Sequence, residues 1–277
     1  MPYFNELQNL MVRYRFRPKK KLGQHFMVNE GILEKMVGLA ELKPNDVVLE
    51  VGAGTGFLTR LLLQKCSVVA VEIDERLCAV LEEELPEKNL QVLCGDFFKA
   101  ELPFFNKVVS LPSYAHSSAL MFRLFEQDFD SGILVFQREF AEKLSAMPGF
   151  MEYNALSVLI QSQFDVSAVQ RVEPGNFFPR PEGESCIVKL VKTTRHGVVK
   201  DKPKFALFIK SVFRFKNKNL GNALLKSFHF IENGLGLNEK DFRGRVSKLQ
   251  MQDVKVNLIS VKEFVEIFSQ VTGTSPK

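Results

Sequence analysis

No stretch of this chain approaches the roughly 18 consecutive apolar residues of a membrane-spanning helix, so no membrane span is expected. Near the start stand Arg13, Arg15, Arg17 and Lys19 to Lys21, with no apolar stretch and small-residue cleavage site after them. A secretory signal is therefore not expected either. The four cysteines, Cys66, Cys78, Cys94 and Cys186, include no Cys-x-x-Cys pair. That argues against a zinc site and against a disulfide framework. Reduced, buried thiols in a cytoplasmic protein are the simplest expectation. The four histidines, His25, His116, His196 and His229, do not cluster at ligand spacing, and no metal site is expected. Internal repeats and low-complexity tracts are lacking as well.

What is present is an ordinary globular composition, 45% hydrophobic and 25% charged over 277 residues. That length allows one large core, or a core domain with a smaller attachment. The net charge of +5 conceals a segregation. Residues 1–24 carry six Lys/Arg and one acid, residues 25–193 fifteen against twenty-four, and residues 194–277 sixteen against seven. Most charge runs are solvated faces, but two basic ends around an acidic middle point to a polyanion-binding surface.

From residue 29 the pattern alternates between helix and strand. Asn29 can cap a helix with Ile32, Leu33, Met36, Val37 and Leu39 on one stripe. Apolar strands are expected at Val47–Val51, Val68–Val71, Leu90–Leu93, Lys107–Ser110 and Ile133–Phe136, with helices between them, including Glu75–Leu85. Continuous apolar strands separated by amphipathic helices indicate a parallel sheet covered on both faces. Phe164–Val172 and Ser185–Val191 read as late strands, an antiparallel hairpin at one edge. After the polar segment Thr193–Lys204, helical patterns lie around Phe205–Phe215, Leu220–Phe230 and Val261–Val271. The expected organisation is a basic arm (1–24), a doubly wound α/β domain (25–193) and a small helical domain (194–277).

Glu50-Val51-Gly52-Ala53-Gly54-Thr55-Gly56 falls between an expected strand and an expected helix. Glycines there let the chain turn tightly and let a ligand approach main-chain atoms. Glu72, at the end of the next strand, can accept both hydroxyls of a ribose. Dinucleotide sites have Gly-x-Gly-x-x-Gly, but here position 57 is Phe and the third glycine is Gly56. Gly-x-Gly-x-Gly after an acid is the S-adenosylmethionine version. Asp96, after the third strand, can accept from an adenine amino group.

With these residues the chain resembles the ribosomal RNA adenine dimethyltransferase family from about Lys20 to about Lys226. Lys21-Leu22-Gly23-Gln24-His25-Phe26 resembles the family's opening motif. Phe136-Gln137-Arg138-Glu139-Phe140-Ala141 with Tyr153-Asn154-Ala155-Leu156-Ser157, and Phe177-Phe178-Pro179-Arg180-Pro181 with Ser185, resemble two later blocks. Phe205–Leu225 resembles the first helices of the family's C-terminal domain. The resemblance implies a Rossmann-like class I methyltransferase sheet, S-adenosylmethionine as cofactor, and a small-subunit ribosomal RNA partner bound by a monomer. It implies cofactor contacts from Gln24, His25, Phe26, Glu50, Gly52, Gly54, Gly56, Glu72, Ile73, Asp96, Phe97 and Ser110. The C-terminal domain would bind RNA.

Two blocks depart from the family. Its catalytic tetrad is Asn-Leu-Pro-Tyr, whereas this chain has Leu111-Pro112-Ser113-Tyr114, so that without a gap Leu111 replaces the asparagine and Ser113 the proline. A shifted alignment would keep Leu111-Pro112 as the Leu-Pro and set Ser110 at the asparagine, but it needs an insertion, and the gapless one is preferred. Lys216-Asn217-Lys218-Asn219 is also less basic than the family's run at that place. In the family the asparagine side chain and a main-chain carbonyl accept the target amine's protons while aromatic rings hold the flipped base. Tyr114 and Phe177 can supply the rings, and carbonyls near Leu111 and Pro112 can accept. Three outcomes stay open: methylation of adenine, methylation of the 4-amino group of cytosine, or an idle RNA-binding assembly factor.

Overall fold

Short runs of β-branched and other apolar residues, buried on both faces in the middle of the sheet and more exposed in the edge strands, form the strands of the molecule. The structure is a computed structural model and describes residues 2–273. Residues 1 and 274–277, the outermost ends of the expected arm and helical domain, lie outside the described residues. The strands are β1 (Phe26–Met27), β2 (Val47–Val51), β3 (Ser67–Glu72), β4 (Leu90–Cys94) and β5 (Lys107–Ser110). They continue with β6 (Ser131–Gln137), β7 (Phe164–Val172), β8 (Phe177–Phe178) and β9 (Ser185–Lys192). Seven of them form one sheet in the order β4-β3-β2-β5-β6-β9-β7. The first five are mutually parallel, and β9 runs antiparallel to β6.

Strand order reverses between β2 and β5, so a crevice opens at their carboxyl ends, where such sheets bind ligands. A second, two-stranded sheet pairs β1 with β8, Phe26 opposite Phe178 and Met27 opposite Phe177. It joins the opening motif to the Phe177–Pro181 loop across 150 residues of sequence.

The helices are α1 (Pro2–Arg13), α2 (Glu30–Leu39), α3 (Phe57–Leu63), α4 (Glu75–Glu84), α5 (Ser117–Glu126) and α6 (Arg138–Ser145). Then come α7 (Ala155–Gln161), α8 (Lys202–Phe213), α9 (Leu220–Leu235), α10 (Glu239–Val246) and α11 (Val261–Thr272). Helices cover both faces of the large sheet. No helix among the described residues is long and apolar enough to cross a membrane. Asn29 caps α2 by accepting from Ile32 N–H, and Asp74 caps α4 by accepting from Arg76 N–H.

Two expectations change here. The basic arm begins as helix α1, whose Tyr3, Leu7 and Leu10 are buried in the core that also holds Phe16, Phe26 and Phe57. Tyr3 stacks on Phe57 at 4.6 Å. Secondly, Cys78 on α4 and Cys94 at the end of β4 are joined by a disulfide, while Cys66 and Cys186 are free and buried. The pairing depends on how the helix packs beside its strand, which a separation of 16 residues does not display.

The chain groups into two compact units. The first is 1–123, 128–141 and 167–191; the second is 124–127, 142–166 and 192–277. Besides the C-terminal helices, the second unit therefore takes in α7 and its flanks. Its interior is phenylalanine-rich: Phe268 meets Phe205 and Phe208 at 5.2 and 5.4 Å, and Phe264 meets Phe213 at 5.4 Å. The buried Tyr153 hydroxyl donates to Ile259 O at 2.9 Å. Serine and asparagine capping boxes start α11 and α7.

Candidate active site

Beyond β2 the chain turns at Gly52 with φ of 76°, in the left-handed region open to glycine. A Cβ at Gly52 would meet nothing within 4 Å, so the space beside this main chain is free for a ligand. At Gly56 (φ 80°), which precedes α3, a Cβ would come 2.8 Å from Leu85 Cδ1. One glycine thus gives access and the other gives close packing.

The loop is tied down by Glu72. Its Oε2 accepts from Gly54 N–H at 2.8 Å, and its Oε1 accepts from the N–H groups of Ile73 and Asp74, each at 2.9 Å. Burial raises the Glu72 pKa, opposed by these three amides. A carboxylate offers about four acceptor positions, so there is room for one further donor rather than for both hydroxyls of a ribose. Glu50 lies deeper, 2% exposed, and its Oε2 accepts from the Thr59 hydroxyl at 2.7 Å.

Asp74 is a positioning residue that sequence reasoning missed. Its buried carboxylate pairs with Arg76 at 2.8 Å and Lys19 at 3.1 Å, and accepts from Gln24 Nε2 at 3.2 Å. Gln24 Oε1 in turn accepts from Lys19 N–H at 2.7 Å. The Arg76 bond, with Lys19 and Gln24, holds the Asp74 carboxyl well below the usual carboxylate range. Gln24 lines the cleft, but its amide is engaged in fastening the opening motif to Asp74. The available signal was an acid two residues beyond Glu72, at a helix start.

Leu111, Pro112, Ser113 and Tyr114 follow β5 directly and face the glycine turn across the crevice. Leu111 packs against the apolar core. Ser113 Oγ is buried with no hydrogen-bond partner, and a Cβ on Gly23 would collide with it. The Tyr114 hydroxyl shares a 2.6 Å hydrogen bond with Ser185 Oγ, and burial pushes its pKa up to about 12. Phe177 comes to 6.4 Å from Tyr114 at an interplanar angle of 77°, edge to face, so the two rings do not form a parallel sandwich. The ring lying nearly parallel to Tyr114 is His25, at 5.9 Å and 20°.

The cleft has two adjoining parts sharing Leu22, Gly52, Ile73, Pro112 and Ser113. The first part holds Gln24, His25, Phe26, Glu50, Gly54, Glu72, Leu111, Tyr114 and Phe177. The second extends to Asp96, Phe97 and His116. The first encloses about 860 Å³ of space, the open solvent at its mouth included. Gly56 caps the helix behind the loop. Ser110 is wholly buried and lines neither part. Its hydroxyl donates to Val51 O at 2.6 Å and accepts from Val51 N–H at 3.2 Å, joining β5 to β2.

A parallel sheet that switches at β2/β5 and is extended by antiparallel β9 is the architecture of the Rossmann-like S-adenosylmethionine-dependent methyltransferases, and this fold is of that class. A dimethyladenosine transferase from Plasmodium falciparum superimposes with a TM-score of 0.77 at 26% identity, over 88% of this chain and 97% of that one. The 23S rRNA methyltransferase ErmE shares the fold with a TM-score of 0.64 at 24% identity, over 89% and 99%. Residues 15–261 match the model of the family described as ribosomal RNA adenine dimethylase, and the chain belongs to that family. Its members use S-adenosylmethionine. Among curated relatives is a probable ribosomal RNA small subunit methyltransferase A of Thermococcus gammatolerans. It is 34% identical over 95% of this chain and 92% of that protein. Its counterpart in Methanopyrus kandleri is 40% identical over 80% and 82%.

Proposed function

We propose that this chain transfers the methyl group of S-adenosylmethionine to the exocyclic amine of an adenine in small-subunit ribosomal RNA. The observation that carries the reading is the continuity of the cleft. One cavity wall runs from Gly52, Glu72 and Ile73 to Leu111, Tyr114 and Phe177, so a nucleoside cofactor and a flipped base would meet in it.

The residues present fit the cofactor. The main chain at Gly52 is unobstructed, Glu72 retains one acceptor position for a ribose hydroxyl, and the half-exposed Ile73 offers an apolar face to a purine. In the second part, Asp96 Oδ1 accepts from Phe98 N–H at 2.9 Å, while Oδ2 has only the exposed Lys99 ammonium 4.0 Å away among the described residues and can turn to an amino group. The orphaned Ser113 hydroxyl lies where the two parts meet and can bond either ligand. The cofactor supplies a methyl group on a sulfonium sulfur. Tyr114, anchored through Ser185, presents a ring for the base, and the apolar walls exclude water. Main-chain carbonyls at Leu111 and Pro112 can accept hydrogen bonds from the amine's N–H groups, which favours its nucleophilic, tetrahedral form.

Adenine is supported by the family description and by the Plasmodium neighbour's name; the small subunit is supported by the names of the curated relatives. An RNA partner is supported by the charge of residues 194–277 and by Lys216 and Lys218, exposed and without ion-pair partners among the described residues. The test is methyl incorporation into small-subunit particles lacking the modification, with the nucleoside identified by mass. Methyladenosine is expected, and Tyr114→Ala should weaken transfer by the ~1–3 kcal/mol of a base–aromatic stack. Methylcytidine would reassign the base. No incorporation, with RNA still bound, would make the chain an assembly factor.

A further inference from the structure

The tetrad of this chain has no side chain at Leu111 to accept a hydrogen bond, and the Ser113 carbonyl is already engaged by His116 N–H at 3.2 Å. We propose that His25 takes the missing place, accepting a hydrogen bond from the target amine and, as methyl transfer proceeds, its proton. The proposal rests on the reading that this cleft methylates a base amine.

His25 lines the same part of the cleft as Leu111, Tyr114 and Phe177, is partly exposed there, and lies nearly parallel to the Tyr114 ring. Its Nδ1 is 2.6 Å from Pro179 O. A carbonyl oxygen only accepts, so Nδ1 carries the hydrogen and donates it. In the neutral ring Nε2 is then an acceptor. No described residue hydrogen-bonds to Nε2. The tautomer is set by the fold, because β1 pairs with β8 immediately beside both partners, Phe26 opposite Phe178. A backbone-oriented imidazole with a free acceptor nitrogen, parallel to the ring proposed to hold the base, is the arrangement a general base requires.

The step balances. As the amine nitrogen's lone pair forms the N–C bond, the methyl–sulfur bond breaks and its electron pair stays on sulfur, turning the sulfonium into a thioether. The methylated amine holds the positive charge until one N–H proton passes to Nε2. The resulting imidazolium later returns that proton to solvent.

The experiment compares the full-length protein with His25→Phe, which keeps a ring against Tyr114 but no acceptor, and with His25→Asn, which keeps an acceptor and a donor. Single-turnover methyl transfer to small-subunit particles and calorimetric S-adenosylmethionine affinity are measured for each. The expected result is transfer slowed ~100-fold in His25→Phe, with cofactor affinity within about twofold of wild type and a smaller loss in His25→Asn. Adding Leu111→Asn, which restores a tetrad acceptor, should recover at least about tenfold of the Phe variant's loss. Affinity falling in parallel with rate would make His25 a cofactor contact and overturn the proposal. So would an undiminished rate in His25→Phe. If that variant proves unfolded by circular dichroism, His25→Asn decides: a rate raised by Leu111→Asn supports the role, and a rate indifferent to it overturns it. Absence of transfer by wild type that still binds cofactor would overturn the methylation reading itself, whereas loss confined to the variants would not.

Discussion

Two carboxylates stand at the ends of adjacent strands, and the structure treats them differently. Glu72 is held by three amides, while among the described residues Glu50 has only the Thr59 hydroxyl. Burial pushes the Glu50 pKa up to about 8 from its ordinary 4.5, the Thr59 bond opposing and the Glu72 charge adding to the rise. A folded-state pKa above the unfolded one means that the fold binds this proton more tightly. The associated stability is complete below the unfolded value and is lost as pH rises through the folded one. At ~1.36 kcal/mol per pH unit, the loss is on the order of 3 kcal/mol by pH 7 and levels off near 5 kcal/mol above pH 8. Glutamine offers the donor and acceptor inventory of a protonated glutamate, so Glu50→Gln should escape that loss. Urea unfolding followed by circular dichroism should show the variant more stable by ~2–3 kcal/mol at pH 7 but by less than ~1 kcal/mol at pH 5. S-adenosylmethionine affinity should change little, because the neutral form is the one the cleft already holds. A stability difference that stays constant from pH 5 to 8.5 would show that Glu50 is ionised in the fold and would refute the reasoning.

Glu72→Ala removes the acceptor of three amides and of the proposed ribose contact. Calorimetry should show cofactor affinity reduced by at least ~10-fold, from the ~1.5–3 kcal/mol of a charged hydrogen bond, and undiminished affinity would take Glu72 out of the site. Leu111→Asn should maintain or raise transfer to adenine; lost transfer would mean that the apolar wall shapes the pocket for a smaller ring. Lys216→Gln with Lys218→Gln should flatten the salt dependence of RNA binding by ~0.7–0.9 per phosphate contact removed. An unchanged slope would place both charges in solvent. Leu7→Ala should lower unfolding stability by ~2–5 kcal/mol, because its side chain on α1 is fully buried. A negligible change would mean that the helix is not part of the core.

The amino-acid pattern by itself determined the parallel sheet, because apolar runs such as Val47–Val51 and Lys107–Ser110 are buried on both faces and carry their own signature. Local spacing also singled out Gly52, Glu72 and Asp96, a turn residue and two carboxylates at strand ends, and all three line the cleft; Tyr114 was singled out only by the resemblance to the family's tetrad. The family was legible for the same reason, its blocks lying in order along the chain. Long-range packing decided the rest. Helix α1 was hidden behind the positive charges that follow it. The Cys78–Cys94 bond, the spent hydroxyl of Ser110 and the strap from Lys19 through Gln24 to Asp74 arise from contacts between separate elements. The second unit's claim on 142–166 does so too, because α7 packs with α8 while its own pattern reads like any helix of the α/β alternation. Only the pairing of β1 with β8 brings His25 to Pro179, and with it the protonation of Nδ1. A sequence names which groups a chain possesses; which lone pairs are already taken depends on the partners that folding brings within hydrogen-bond reach.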